Sequence, residues 1–404
     1  MAQAHNADTQ ANIDFDTPLP QPVLVVNAGS SSLKVKLLPQ GHALLVERIG
    51  QKAKIKASFQ RDLSAEGIDN HYSALQRCLE LLAEVASLAD ITAVGHRVVH
   101  GGERYHAPTR IDGQVIADIE NLSVIAPLHN PANLEGIRAA TQLLSAIPHV
   151  AVFDTAFHAG LPAQSFLYGL PRFYYLEEGI RRYGFHGPSH DYVTRRAAAL
   201  LGSRREDLKL ISLHLGNGSS AAAVAHGVSV DTTMGFSPIA GLMMGTRSGD
   251  IDPGVLLHLL RGGMSVDELD HLLNRKSGLL GLSGLSNDMR DLRQASSKGN
   301  QEAAEAIAVF CQRIRNAIGS LAASMGGLDG VIFTGGIGEN DILTRVQALE
   351  GLEFLGIQLD DARNQAGEHI ISRDDSPVKV LRIPTDEERM IAQAALHSLE
   401  ASLP

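Results

Sequence analysis

The stretch Val23–Leu38, VLVVNAGSSSLKVKLL, predicts a β-hairpin whose turn is rich in small polar residues. Four β-forming residues run into NAGSSS at positions 27–32, and apolar alternation resumes at Leu33. Small residues leave the backbone N–H groups of a turn open, and a concave run of such groups binds anions. The stretch therefore predicts either an anion-binding turn or an ordinary tight hairpin.

The bulk composition is that of a globular protein with too much chain for one ordinary core. The sequence has 404 residues, is 44% hydrophobic and 20% charged, and carries a formal net charge of −10. This length predicts two domains, and the acidity argues against a nucleic-acid partner. The two cysteines, Cys78 and Cys311, have no metal-binding spacing, which favours a reducing, cytoplasmic location. No apolar run reaches the roughly 18 residues of a membrane span, so we expect no membrane partner.

The order of predicted elements indicates an α/β protein with a repeated design. Residues 1–21 are polar, lack the apolar core of a secretory signal and are predicted to be a disordered extension. A hairpin, helix, strand, helix and strand follow, up to Asp154. Strand, small-residue turn and strand then recur from Leu210 onward, which suggests duplication. The helices are predicted at 71–88, 134–144, 253–261, 266–274, 301–324 and 387–399, and the later strands at 93–99, 150–153, 210–215, 221–224, 330–333 and 378–383.

Two further strand ends repeat the small-residue design of the hairpin. GNGSS at 216–220 follows the strand 210–215, and TGGIGEN at 334–340 follows the strand 330–333. Neither is a Walker A loop, because G-x-x-x-x-G-K-[ST] does not occur in the sequence. Each turn alone is also compatible with an ordinary tight connection. Together with the hairpin they favour a site for nucleotide phosphates and ribose.

Cationic and imidazole side chains beside glycines are the second signal. Arg97 lies in GHRVVHGG and Arg247 in MMGTRSGDIDPG, where a guanidinium suits bidentate contact with carboxylate or phosphate oxygens, or a structural salt bridge. His186 and His214 stand at glycine turns, and His129 lies in APLHNPAN. Each histidine taken alone is more often a structural residue than a functional one.

Acidic residues complete the set of candidates. Asp154 ends the buried strand VAVFD, a common place for functional carboxylates in open α/β sheets. Glu387 and Glu388 open the last helix, where their ordinary role is to stabilise the helix N-terminus. No HExxH pattern occurs, which argues against a zinc site.

Nine strings of this sequence, in order, resemble the acetate/propionate kinase family over residues 22–397. They are VNAGSSSLK, GHRVVHGG, PLHNPAN, FDTAFH, RYGFHGPSH, HLGNGSS, DTTMGFSPIAGLMMGTRSGDIDPG, FTGGIGEN and IPTDEE. The resemblance implies the α/β fold of the sugar kinase/Hsp70/actin superfamily, two duplicated ribonuclease-H-like domains with a cleft between them. It implies a discontinuous N-terminal domain, residues 22–154 plus 385–404, and a C-terminal domain, residues 155–384, that binds nucleotide and forms a homodimer.

The same resemblance implies the reaction ATP + acetate ⇌ ADP + acetyl phosphate with Mg²⁺, for which Mn²⁺ may substitute. Four residues match the catalytic set: Arg97, Asp154, His186 and Arg247. Arg97 with Val99, Leu128, Phe185 and Pro238 matches the site for acetate and its methyl group. Asn27 and Glu387 match the residues that help to place the metal. The nucleotide contacts implied are Lys34, His214, Leu215, Gly216, Asn217, Gly218, Asp288, Met289, Arg290, Gly335, Gly336, Ile337, Gly338 and Glu339.

The chemistry of the acceptor limits what these residues have to do. A carboxylate with a pKa near 4 is already ionised at neutral pH, so no general base is needed. We therefore expect direct in-line attack, with Asp154 orienting an arginine or the metal shell. Asp386, in IPTDEE, replaces the usual asparagine and is expected to alter metal affinity slightly. The alternatives are a propionate kinase with the same motifs and, from another class, an Hsp70/actin-like ATPase.

Overall fold

The computed structural model describes residues 17–61 and 63–400. Its strands are β1 (Val23–Gly29), β2 (Ser32–Leu38), β3 (His42–Glu47), β4 (Lys54–Ala57), β5 (Ala93–Val98), β6 (Thr109–Arg110), β7 (His149–Phe153), β8 (Lys209–Leu215), β9 (Ser219–Ala225), β10 (Val228–Thr232), β11 (Gly330–Thr334) and β12 (Lys379–Arg382). Its helices are α1 (His71–Ala83), α2 (Gly113–Asn121), α3 (Asn130–Leu143), α4 (Ala163–Phe166), α5 (Phe173–Glu178), α6 (Gly187–Leu200), α7 (Pro253–Arg261), α8 (Val266–Arg275), α9 (Gly278–Ser283), α10 (Met289–Ser297), α11 (Gln301–Met325), α12 (Gly335–Asn340), α13 (Ile342–Leu349), α14 (Asp361–Ala366) and α15 (Glu387–Glu400).

The strands form two sheets that share one design. The first sheet has the order β4-β3-β2-β1-β5-β7-β6, and the second has the order β10-β9-β8-β11-β12. In the first, β1, β2 and β3 form an antiparallel meander, and β5 and β7 add in parallel beside β1. In the second, β8, β9 and β10 form the meander, and β11 and β12 add in parallel beside β8. The repeated five-strand core supports the predicted duplication.

The opening hairpin has the predicted structure, and its pattern of burial explains why. Val23 to Val26 are buried, because β1 is a central strand that is covered on both faces. β2 alternates buried and exposed side chains over Leu33, Lys34 and Val35. The register pairs Asn27 with Lys34, so both side chains point to the same face of the sheet.

The chain returns to the first sheet at its C-terminal end. Ile391, on α15, packs with Val23 and Val25, and a Cβ atom at Gly95 would lie 2.8 Å from Ile391 Cγ2. Glycine at this position therefore allows α15 to approach β5. Leu19 is buried in the same cluster, so the prediction of disorder needs correction for residues 17–21. Residues 1–16 of the predicted extension lie outside the described residues.

The second sheet is covered by a long helix that the sequence predicted well. α11 ends at Gly326 in the left-handed region and contributes Ile307, Phe310 and Ile314 to the core over β8, β9 and β11. The predicted helix at 71–88 ends earlier, at Ala83. Elements that the sequence did not predict include β3, α2, α6, β10 and α12. No helix in the described part of the chain is both long and apolar enough to cross a membrane.

Candidate active site

Three charged residues meet where parallel strands of the first sheet end. Arg97 is near the end of β5, and Asp154 directly follows the neighbouring strand β7. The guanidinium donates from Nε and Nη2 to the two Asp154 carboxylate oxygens at 2.9 and 2.7 Å. Glu387, the first residue of α15, places a carboxylate oxygen 4.0 Å from Arg97 Nε. The carboxyl ends of adjacent parallel strands share one edge, which is why these residues meet.

The ion pair at this edge determines what Asp154 can do. Burial disfavours the charge of Arg97, but Asp154 and Glu387 outweigh that cost and raise the pKa of the guanidinium. Asp154 is almost fully buried, and both of its oxygens accept from Arg97. The carboxylate is therefore occupied in holding a cation, as expected for an orienting residue rather than a base.

The part of the chain around the second sheet contributes an arginine, two histidines and a glycine turn. The His186 and His214 rings stack with centroids 4.3 Å apart. A Cβ atom at Gly218 would lie 3.2 Å from Arg247 Nη2 and 3.4 Å from His186 Nε2. A side chain at Gly218 would push these groups aside by a few tenths of an ångström, so glycine lets the backbone lie directly beside two nitrogen atoms. His186 has a positive φ of 57° and immediately precedes α6.

The two parts of the site are linked by contacts to Glu387 and by the electrostatic effects of the arginines. Glu387 Oε1 lies 4.0 Å from His214 Nδ1, while its other oxygen, Oε2, is the one that lies 4.0 Å from Arg97. Burial, His214 and Arg97 lower the pKa of His186 well below its usual value. Burial followed by the charges of Arg275 and Arg97 lowers the pKa of Arg247 to about 10. The site thus combines charged arginines with imidazoles that are neutral at pH 7.

His129 belongs to the same electrostatic environment, although its motif alone did not distinguish it. Burial and the charges of Arg247 and Arg97 lower its pKa to about 4. The nearby Asn133 side chain holds the end of the strand that follows Arg97, because its Oδ1 accepts from the Val99 backbone N–H at 3.0 Å. The signal available in the sequence was the string PLHNPAN, which supplies His129 and Asn133 on consecutive turns around the start of α3.

Two residues of the predicted apolar pocket lie in one buried apolar cluster, together with two residues that the sequence did not single out. Val99 and Phe185 are buried together with Met234 and Met244. The Pro238 carbonyl accepts from Arg247 Nη1 at 2.7 Å, so it holds the arginine. Leu128 is 39% exposed and lies outside this cluster, so its place in the pocket stays a prediction. Methionine is common in protein cores, which is why the two methionines carried no signal.

Seven of the fourteen predicted nucleotide residues line one cavity, beside two adjoining turns. The turns 214–218 and 335–339 abut: a Cβ atom at Gly335 would lie 2.7 Å from the Leu215 carbonyl oxygen, and Gly338 also faces Leu215. Glu339 Oε1 closes the second turn by accepting from the Gly335 N–H at 2.9 Å and the Thr385 N–H at 3.1 Å. A cavity of about 760 Å³ opens beside these turns. Its lining includes Gly216, Asn217, Asp288, Met289, Arg290, Arg293, Gly336 and Ile337.

Lys34 and Asp386 have partners on the first domain. The Lys34 ammonium pairs with Glu388, so its predicted contact with nucleotide phosphate requires it to leave that carboxylate. Asp386 Oδ1 accepts from Lys36 Nζ at 3.2 Å and from the Arg389 backbone N–H at 3.1 Å. Asp386 therefore caps α15 and neutralises a lysine. This arrangement does not support the expectation that Asp386 alters metal affinity.

The oxygen donors near Arg97 suit a magnesium ion bound mainly by nucleotide. Glu387 is partly exposed at the edge of the cleft, and Asn27 points to the face of the sheet on which α15 packs. Among the described residues, no group of three or more His, Cys, Asp or Glu side chains forms a cage for a metal ion. Mg²⁺ commonly binds through one or two carboxylates together with substrate phosphates and waters. Asn27 and Glu387 fit that type of site.

Comparison with known proteins agrees with this geometry. A model of the acetokinase family matches residues 22–393. The chain belongs to the acetokinase family. The acetate kinase of Bacillus subtilis (strain 168) is 50% identical over 385 residues, covering 92% of this chain and 98% of the relative. The acetate kinase of Geobacillus kaustophilus (strain HTA426) is 51% identical, covering 92% and 97%.

Solved structures from the acetokinase family have the same fold. The crystal structure of Porphyromonas gingivalis acetate kinase superposes with a TM-score of 0.89 at 41% identity, covering 94% of this chain and all of that one. A propionate kinase from Francisella tularensis also has a TM-score of 0.89, at 38% identity, covering 93% and 99%. The predicted family and fold class are confirmed.

Proposed function

We propose that this chain is an acetate kinase, which reversibly transfers the γ-phosphoryl group of ATP to acetate and gives acetyl phosphate and ADP. The observation that carries the proposal is that Arg97, His186 and Arg247 lie around Glu387, His214 and Gly218, next to the buried side chains of Val99 and Phe185. Acetate is a small anion with one methyl group. A site that combines guanidinium groups with a small apolar pocket matches both ends of that molecule.

The chain's own residues act mainly by placement and charge compensation. Arg97, held in position by Asp154, orients the acetate carboxylate toward the γ-phosphorus. Acetate attacks in line, the bond from phosphorus to the β,γ-bridging oxygen breaks, and ADP leaves. Arg247 and neutral His186 donate to the oxygens of the flattening phosphoryl group. No proton has to be removed, which agrees with an Asp154 carboxylate fully engaged with Arg97.

Mg²⁺ fits the donors described above, with Asn27 and Glu387 as its protein contacts. When bound, it neutralises charge on the nucleotide phosphates. The small-residue turn 216–218 binds the phosphates, and adenosine occupies the cavity lined by Asp288, Met289 and Arg290. We assign the N-terminal domain to residues 22–154 plus 385–404 and the C-terminal domain to 155–384. The return of α15 onto the first sheet supports this division.

A homodimer is part of the proposal and has its own support in the second domain. None of the nine residues of α7 is buried, although five of them are Val or Leu. Val255, Leu257 and Leu260 are exposed on this helix. Several exposed apolar side chains on one helix indicate an interaction site, and a second copy of the chain is the occupant we propose. A monomeric mass in sedimentation at micromolar concentration would contradict this assignment.

We place the enzyme in the cytoplasm, where Cys78 and Cys311 remain reduced, as both are free thiols here.

The proposal is tested by trapping the acyl phosphate as its hydroxamate. The protein is incubated with ATP, Mg²⁺ and acetate, propionate or butyrate in turn, and kcat/KM is compared among the acids. We expect acetate to have the highest value. Propionate kinase is the second candidate because a propionate kinase shares the fold so closely. One methylene changes discrimination by only about 1–3 kcal/mol, so a reversed order would select that candidate. ATP hydrolysis with no hydroxamate from any acid would refute both.

A further inference from the structure

A continuous line of hydrogen bonds runs behind His186 through buried side chains. Ser212 Oγ lies 2.9 Å from His190 Nδ1, and His190 Nε2 lies 2.7 Å from Ser220 Oγ. Ser220 Oγ in turn lies 2.9 Å from His186 Nδ1. Ser212, His190 and Ser220 are completely buried. The other ring nitrogen of His186, Nε2, faces the space beside Gly218 and Arg247.

The secondary structure explains why these four side chains form one line of hydrogen bonds although they come from different elements of the fold. Ser212 on β8 pairs with Ala222, and Ser220 on β9 pairs with His214, so both serines point to the same face of the sheet. His190 lies in the first turn of α6, which packs on that face. His186 immediately precedes the same helix and reaches Ser220 from the other side.

Counting protons along the line leaves two arrangements in which the three bonds run in one direction; a third, in which both imidazoles donate to Ser220, leaves the buried Ser220 O–H without an acceptor among the described residues. Burial lowers the pKa of both His186 and His190 well below the usual value, so each ring is neutral and carries one N–H. In the first arrangement Ser212 donates to His190 Nδ1, His190 Nε2–H donates to Ser220, and Ser220 donates to His186 Nδ1. In the second arrangement all three bonds are reversed. The first leaves His186 with its proton on Nε2, and the second leaves it on Nδ1.

The Ser212 hydroxyl decides between the two arrangements. Within the described part of the chain, His190 Nδ1 is its one side-chain or backbone partner. In the reversed arrangement this hydroxyl accepts from His190, and its own proton is buried without an acceptor. An unsatisfied buried donor bears the full desolvation penalty, whereas an unused lone pair costs much less. The first arrangement gives the O–H and N–H groups of Ser212, His190 and Ser220 an acceptor each, and leaves only the His186 Nε2–H directed to the cleft.

We propose that Ser212, His190 and Ser220 are positioning residues that fix His186 as its Nε2–H tautomer, so that the ring presents a hydrogen-bond donor to the cleft beside Arg247. The tautomer follows from the geometry alone, and its consequence for catalysis rests on the proposed function. As a neutral donor His186 binds the phosphoryl oxygens without adding a charge next to two arginines. The Nδ1–H tautomer would instead turn a lone pair toward an anion.

Nitrogen-15 NMR on protein labelled with ¹⁵N-histidine tests the tautomer directly in the substrate-free enzyme. The His186 signals are assigned from the spectrum of His186→Gln. We expect wild-type Nε2 to have the shift and proton coupling of an N–H and Nδ1 to have those of an unprotonated nitrogen. In Ser220→Ala we expect the proton to be shared between the two nitrogens. A wild-type ring protonated on Nδ1 would overturn the proposal.

Measurements of kcat distinguish a positioning role of Ser220 and His190 from a general contribution to packing. Ser220→Ala should lower kcat about tenfold, the value of one net hydrogen bond, with both KM values unchanged. His190→Gln should retain most of the wild-type rate, because a glutamine amide N–H can replace Nε2–H as the donor to Ser220. The matched control is Ser229→Ala, which removes another buried Ser–His bond, 2.7 Å from Ser229 Oγ to His158 Nδ1, outside the line.

The kinetic outcomes and the function test remain distinguishable. An equal loss of kcat in Ser220→Ala and Ser229→Ala would overturn the proposal, as would a Ser220→Ala enzyme with both a wild-type kcat and an intact Nε2–H signal. If the wild-type protein forms no acyl phosphate from any acid, the proposed function fails. The NMR result on the tautomer stands or falls independently of that outcome.

Discussion

The role of Asp154 can be measured through its partner. In Asp154→Asn, one oxygen acceptor for Arg97 remains, but the charge and one of the two bonds of 2.9 and 2.7 Å are lost. Removing one partner of a buried ion pair costs roughly 3–5 kcal/mol. Glu387, at 4.0 Å from Arg97, and the remaining amide oxygen keep the loss near the lower value. Since 1.36 kcal/mol corresponds to a factor of ten, we expect kcat/KM for acetate to fall by up to about 10²-fold.

A double-mutant cycle then identifies how the loss arises. Arg97→Ala, Asp154→Asn and the double variant are assayed for hydroxamate formation at saturating MgATP. If Asp154 acts only by holding Arg97, the double variant has the same kcat/KM as Arg97→Ala, because the orienting residue has nothing left to orient. The double variant should also unfold at a higher temperature than Arg97→Ala, which leaves the Asp154 carboxylate buried without its cation.

The opposite result would refute this reasoning. If Asp154→Asn lowers kcat/KM by the same factor with and without Arg97, the carboxylate acts on the substrate or the metal directly. A wild-type kcat/KM in Asp154→Asn would equally show that the two hydrogen bonds do not position Arg97 for catalysis.

Three further perturbations test other parts of the site. Arg247→Ala should lower kcat by roughly 10³–10⁵-fold, as for arginines that stabilise phosphoryl transfer, and a change in KM alone would contradict that role. Asp386→Asn keeps the helix cap and loses only the ion pair with Lys36, so the free energy of unfolding measured with urea should change by less than about 1 kcal/mol. A large shift in the Mg²⁺ concentration that the enzyme requires would contradict this assignment. Burial lowers the pKa of His100 and His158 to about 4, so as the pH falls these histidines are protonated in the unfolded chain at a higher pH than in the folded protein. Stability should therefore decline from about pH 6.5 toward pH 4, by on the order of 3 kcal/mol for each histidine, and a urea midpoint that stays constant over this range would contradict neutral burial.

Much of the first sheet, and the candidate residues of the site, could be predicted from local sequence. The hairpin of β1 and β2 was predictable because its alternation and its turn residues are neighbours in the chain. β3 and α6 were missed because a short polar-flanked strand and a helix that follows a histidine in the left-handed region carry weak local signals. Met234 and Met244 were missed for a different reason, since their partners Val99 and Phe185 lie far away in sequence.

The sequence by itself determined the inventory: three small-residue turns, two arginines beside glycines, and the family to which those strings belong. Only the tertiary structure decided the partnerships, such as Arg97 with Asp154 across 57 residues and Lys36 with Asp386 across 350. The physical reason is that turn and strand propensities depend on residues a few positions apart. The charge state of a carboxylate and the tautomer of an imidazole depend instead on whichever groups the fold packs against them.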